Sequence, residues 1–228
     1  MASWYTRLQP RFCGHEENAA QAACTALMVL MLPMVAGGAI VDRIAIVVGD
    51  KIITESEIDL RIRLTSFQNG EKADFNLASR RRAAGQLVDQ RLIEHEMDTG
   101  HYPRLEATGR AALLADYQRT EYKSDPVSLA KALAGYGLTP KDLEDDLGRQ
   151  SDLLSFVNLR FRPAVQVTDQ DIQKYFAENG LKGSLNEMRA QIDQKLTAER
   201  AEKELDLWLR DQRGRTRIDY LEKDLEGK

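Results

Sequence analysis

A sheet assembled from the two ends of the chain is the feature that most constrains what this sequence can fold into. Residues 44–48 (IAIVV) read as an apolar strand, Gly49-Asp50 as a tight turn and residues 51–54 (KIIT) as a second strand. A strand pair of this size is marginal alone in water, so it needs a further strand and a cover on one face. The other stretch with strand-like composition is residues 216–221 (TRIDYL), with β-branched and aromatic residues near alternation, at the far end. Everything between reads as helix. The expected fold class is mainly α: a multi-helix core with a small antiparallel sheet formed by the N-terminal hairpin and the C-terminal strand.

The helices announce themselves at their starts. Thr54-x-x-Glu57 is a capping box, in which the Thr oxygen accepts a backbone N–H and the Glu reaches back. It opens a helix through Ile58, Ile62, Leu64 and Phe67 that Asn69-Gly70 closes. A second helix over 77–97 places Leu87, Val88, Leu92, Ile93 and Met97 on one face. A third, over 105–122, groups Leu113, Leu114 and Tyr117. Asp125-Pro126 and Thr139-Pro140 each pair a capping side chain with a proline at the first helical position. The second of these starts a long helix with Leu143, Leu147, Leu154, Val157 and Phe161 inward, ending at Pro163. Thr168-x-x-Asp171 caps a short helix, Gly180 and Gly183 make a connector, and residues 185–213 form the last helix. That helix is expected to bury Leu185, Met188, Ile192, Leu196, Leu205, Trp208 and Leu209.

Composition sets the class of partner. The net charge is −4 over 228 residues, which argues against nucleic acid. The one basic run, Arg80-Arg81-Arg82, reads as a solvated helix start. Residues 22–41 carry no charge and have the length of a membrane span, but Pro33 and the small residues 36–39 look like the end of a secretory signal. Residues 1–39 are therefore read as a signal peptide, with an uncleaved anchor as the alternative. Both cysteines, Cys13 and Cys24, lie in this segment, so a processed chain would have no disulfide and no cysteine-ligated metal.

The search for catalytic chemistry is mostly empty. His15, His95 and His101 have no metal-ligand spacing and read as solvated or capping residues. Gly135-Tyr136-Gly137 is explained by a helix end rather than a phosphate loop. Glu144-Asp145-Asp146 and Asp169/Asp171 are expected to serve helix dipoles and solubility. There is no nucleophile elbow, no Walker pattern and no mature cysteine. The expectation is no enzyme, no cofactor, no metal and no catalytic residue.

Four stretches, in order, then carry a family resemblance: VDRIAIVVGDKIITESEID (41–59), QLVDQRLIEHEM (86–97), LAGYGLTPKDLEDDLGRQSDLLSFVNLRFRPAVQVTDQDIQKYF (133–176) and NEMRAQIDQKLTAERAEKELDLWLRDQRGRTRIDYLE (186–222). Together they resemble the SurA-like periplasmic chaperones over most of residues 40–222. In that family one or two parvulin-type prolyl isomerase domains usually sit between the short helix and the last one. Here Phe176 and Leu185 are joined by AENGLKGS, too short for such a domain.

The resemblance implies three parts: the leader at 1–39, a helical domain at 40–180, and a long helix with strand at 181–228 that packs back on it. It implies an ATP-independent periplasmic holdase whose partners are unfolded polypeptides, above all outer-membrane β-barrel precursors, with no isomerase activity. Two alternatives stand beside it: an isomerase named by family membership, and an envelope assembly module, in which terminal elements are exchanged to form a homodimer. The client-binding surface is not assigned. Phe67, Phe75, Tyr117 and Tyr122 are read as core residues.

Overall fold

The computed structural model describes residues 42–180 and 183–226; the expected leader at 1–39, with Cys13, His15, Cys24 and the apolar segment 22–41, lies outside the described residues. Strand β1 (Ile44–Val48) turns at Gly49, whose φ of +59° suits a residue without a side chain, into β2 (Lys51–Thr54). Strand β3 (Ile218–Tyr220) pairs antiparallel with the other edge of β1, giving the order β2-β1-β3. Ile46 faces Ile53 on one side and Tyr220 on the other. The end-to-end sheet is present as expected.

Seven helices follow among the described residues: α1 (Glu55–Asn69), α2 (Leu77–Thr99), α3 (Ala107–Tyr122), α4 (Pro126–Ala134), α5 (Pro140–Arg160), α6 (Asp169–Glu178) and α7 (Leu185–Arg215). Capping boxes at Thr54, Thr139 and Thr168 are all formed. Gly70 closes α1 in the left-handed conformation, its N–H reaching the Phe67 carbonyl at 3.1 Å. These boundaries are written by local hydrogen bonding, which is why they are legible in sequence.

Three apolar clusters hold these elements. The sheet face, with Ile46 and Ile53, packs on Ile58 and Ile62 of α1 and on Leu87, Val88 and Leu92 of α2. Leu225, in a 3-10 turn after β3, completes that cluster from the opposite end of the chain. A second cluster joins Leu64 and Phe67 of α1 to Leu129, Leu133 and Leu143 of α4 and α5. The third joins Ile93 and Met97 of α2 to Phe156, Phe161 and Ala201, with Phe156 meeting Tyr102, Phe161 and Trp208 edge-on at 5.1, 5.6 and 5.6 Å.

Several expected positions differ. Leu154 is 62% exposed, and Phe156 takes the inward place on α5. The reason is a face set by Leu143, Asp146, Asp152 and Phe156, which puts Leu154 on the outside of the helix. Phe75 is 44% exposed on the loop before α2 and packs in no cluster. Helix α3 begins at Ala107 and buries no residue fully; Leu114 and Tyr117 lean on the second cluster. On α7 only Ile192 and Ala201 are fully buried, while Leu205, Trp208 and Leu209 are half-covered. Nor is the basic run simply solvated: Arg80 bridges Asp59 and Glu222 at 3.0 and 3.1 Å, and Arg81 donates to the Asp224 carbonyl. These arginines fasten the C-terminal turn to α2.

The first part of α7 leaves the main body and pairs with α6. Ile172 and Ile192 are the buried residues of this arm. Arg189 and Arg200 of α7 tie to Asp169 and Asp171 at the start of α6.

Candidate functional site

Helices α1, α2, α5 and α7 leave an open cleft of about 420 Å³ between them. Its apolar wall is Ile93 and Met97 from α2, Leu153 from α5, and Leu205 and Leu209 from α7. Helix α7 supplies part of this wall because its half-covered leucine stripe passes over α2 and α5 without closing on them. Polar residues share the lining with them: Gln68, Gln86, Gln90, Gln150, Arg61 and Arg149.

Asp146, also among the lining residues, has 0% exposure. Its Oδ1 accepts from Arg61 Nη1 and Arg149 Nη2, both at 3.1 Å; its Oδ2 accepts from Gln68 Nε2 at 2.9 Å and Gln150 Nε2 at 2.8 Å. Four donors from two helices thus satisfy one carboxylate, as burial of a charge requires. Burial pushes the Arg61 guanidinium below its ordinary value, and the adjacent Asp146 charge opposes that shift.

The network continues outward. Arg61 Nη2 donates to Gln90 Oε1 at 2.6 Å, Gln90 donates to Glu94 at 2.7 Å, and Arg91 bridges Glu94 and Glu57, the carboxylate of the first capping box. Arg91 also donates to the Ile52 carbonyl at 3.2 Å, covering part of the outer edge of β2. Hairpin, α1, α2 and α5 are therefore connected by one chain of polar contacts.

A second buried acid holds α3. Asp152, 4% exposed, accepts the Leu105 backbone N–H at 2.6 Å and Arg110 Nη2 at 2.6 Å. Arg110 crosses α5 at Gly148, where an added Cβ would lie 2.9 Å from its Cγ and closer still to the guanidinium. The glycine leaves room for that crossing.

Sequence reasoning placed Asp146 on a solvated charged face, and the structure corrects this. Its neighbour Asp145 is half-exposed and pairs with Lys141, whereas Glu144, also within reach of Lys141, keeps only 19% of its side chain exposed. A signal was present: Asp146 is three residues from Leu143 and Asp152 four from Phe156, so both acids sit on the inward stripe of α5. Asp169 and Asp171 serve the start of α6 as expected. His95 and His101 are exposed, and no group of three potential metal ligands occurs among the described residues. No helix among them is long and apolar enough to cross a membrane.

The cleft therefore offers an apolar wall, neutral amides and internally paired charges. Asp89 is paired with Arg213, Asp152 with Arg110 and Arg104 with Asp98. Such a lining is equipped for binding by burial and hydrogen bonding. In comparisons with known proteins, the chain matches no family model and no curated protein.

Proposed function

We propose that this protein is an ATP-independent holdase of the periplasm that binds unfolded polypeptides, outer-membrane β-barrel precursors among them. The observation that carries the reading is the open cleft, lined by Leu153, Leu205 and Leu209 together with neutral amides. The sequence resemblance supplies the compartment and the client class. A holdase needs accessible apolar surface, worth roughly 25 cal/mol per Å² covered, without a stereospecific site. Unfolded barrel strands alternate apolar and polar residues, so a cleft lined by both kinds of side chain receives them in many registers. Proline isomerisation is not part of the proposal, because α6 passes to α7 without room for an isomerase domain.

The test is light scattering from a urea-diluted outer-membrane barrel, with and without the purified protein. Suppression at near-stoichiometric amounts supports the holdase. No suppression by a protein that is folded by circular dichroism overturns it.

A second reading is an envelope assembly module that pairs by exchange of chain ends. One observation favours it: β3 and Leu225 complete a sheet and core begun at the other end of the chain. A stable dimer in solution scattering, together with failure of the aggregation assay, would select this reading.

A further inference from the structure

We propose that the cleft recognises the backbone of an extended polypeptide through the side-chain carbonyls of Gln68 and Gln150, held outward by Asp146. The proposal rests on the holdase reading and gives its site a recognition chemistry.

An ionised carboxylate accepts hydrogen bonds and donates none. The Gln68 and Gln150 atoms at 2.9 and 2.8 Å from Asp146 Oδ2 are therefore the amide nitrogens. Each planar amide then turns its Oε1 away from the buried acid. Neither oxygen has a hydrogen-bond partner among the described residues, and both glutamines are exposed. Asp146 thus acts as a positioning residue that removes the ordinary freedom of an amide to flip. It leaves two preset acceptors in the cleft that Leu153, Leu205 and Leu209 also line.

Charge decides which donor these acceptors suit. The carboxylates of the cleft are already engaged: Asp146 by Arg61 and Arg149, Asp89 by Arg213, Asp152 by Arg110 and Glu94 by Arg91. An ammonium or guanidinium group would meet no free counter-charge there. A neutral N–H donor loses nothing by that. The peptide N–H is such a donor, repeated along every chain whatever its sequence, and in an extended strand it alternates with side chains that the apolar wall can cover. Acceptors that read N–H groups rather than side chains give sequence-tolerant binding.

The experiment uses two fluorescein-labelled decapeptides of one alternating apolar–polar sequence. In the second, esters replace alternate amides and so delete N–H donors while keeping the side chains. Fluorescence anisotropy is measured with the purified protein and with the Gln68→Lys/Gln150→Lys variant, which keeps a donor for Asp146 but has no acceptor. The single Gln150→Lys variant replaces it should the double variant fail to fold. For two lost hydrogen bonds the ester peptide binds the natural protein about tenfold more weakly, and the variant binds both peptides alike. Equal affinity of the natural protein for both peptides overturns the backbone proposal and leaves the holdase reading standing. A variant that keeps the tenfold preference overturns the assignment to these glutamines. If neither peptide binds and aggregation is not suppressed, both readings fall.

Discussion

Arg61 and Asp146, 85 residues apart in the chain, meet at 3.1 Å between Nη1 and Oδ1 beneath the cleft. The contact joins α1 to α5. It also keeps charge inside without leaving it uncompensated: Asp146 is saturated by four donors. A buried ion pair is not in itself a large source of stability, because desolvation offsets much of the attraction. Removing one member is different, since the others stay behind without a counter-charge.

Asp146→Ala is accordingly expected to lower unfolding free energy by about 3 kcal/mol, since it strands Arg61 and Arg149 and frees two amides. Urea denaturation checks this. A loss below about 1 kcal/mol, the scale of an exposed pair, would mean that the arginines simply swing into water.

Leu153 stands on the cleft wall and is 37% exposed. Leu153→Asp should cost little stability, about 0.5 kcal/mol as for surface positions. Aggregation suppression should fall several-fold, because the charge wets the apolar wall. Unchanged suppression by this variant would place client binding elsewhere on the molecule.

Leu225 is 2% exposed inside the sheet cluster, whereas Leu221, four residues earlier, is 58% exposed. Leu225→Ala should cost about 2–4 kcal/mol through lost transfer energy and the cavity left behind. Leu221→Ala should stay within about 0.5 kcal/mol. Thermal melts of the two variants separate these outcomes. Similar shifts would show that the C-terminal turn is not needed to complete the core.

Acid should loosen the α6–α7 arm. The Arg200 guanidinium, with the Thr168 cap, holds the Asp171 carboxyl well below the usual carboxylate range. The folded state thus favours the charged form more than the unfolded chain does. Its contribution is full above the unfolded value of about 4 and is lost progressively as pH falls below that toward the folded value. Hydrogen exchange of α6 amides should accelerate between about pH 4 and pH 2 relative to the intrinsic rate. In Asp171→Asn that acid dependence should flatten. The same profile in both proteins would assign the effect to other groups, such as Asp42 or Asp125, whose hydrogen bonds to Ser56 and Ser128 also lower their values.

Much of the fold was legible before any coordinates because its signals are local. The Ile44–Thr54 hairpin, the boxes at Thr54, Thr139 and Thr168, and the inward face of α2 depend on residues within one or two turns of each other. The pairing of β3 with β1 is not local, but it followed from scarcity: a marginal hairpin had one strand-like partner in reach of the argument. Leu154 and Phe75 were misplaced for the complementary reason. An apolar residue on a helix or loop states a preference for burial, and only the packing of neighbouring elements decides which of them is covered.

The cleft belongs wholly to tertiary structure. By itself the sequence determined where the capped helices begin, which elements are helix and which strand, and that the two strand-forming ends share a sheet. Whether Asp146 is a solvated acid or a buried hub depends on Arg61, Gln68, Arg149 and Gln150 arriving together from α1 and α5. Arg149 and Gln150 stand three and four residues from Asp146 on one helix. No spacing along the chain brings Arg61 and Gln68 to it, because that is set by how α1 crosses α5. The openness of the wall was decided in the same way: the leucines of α7 read as core, and only the path of α7 over α2 and α5 left Leu205 and Leu209 half-covered beside Leu153.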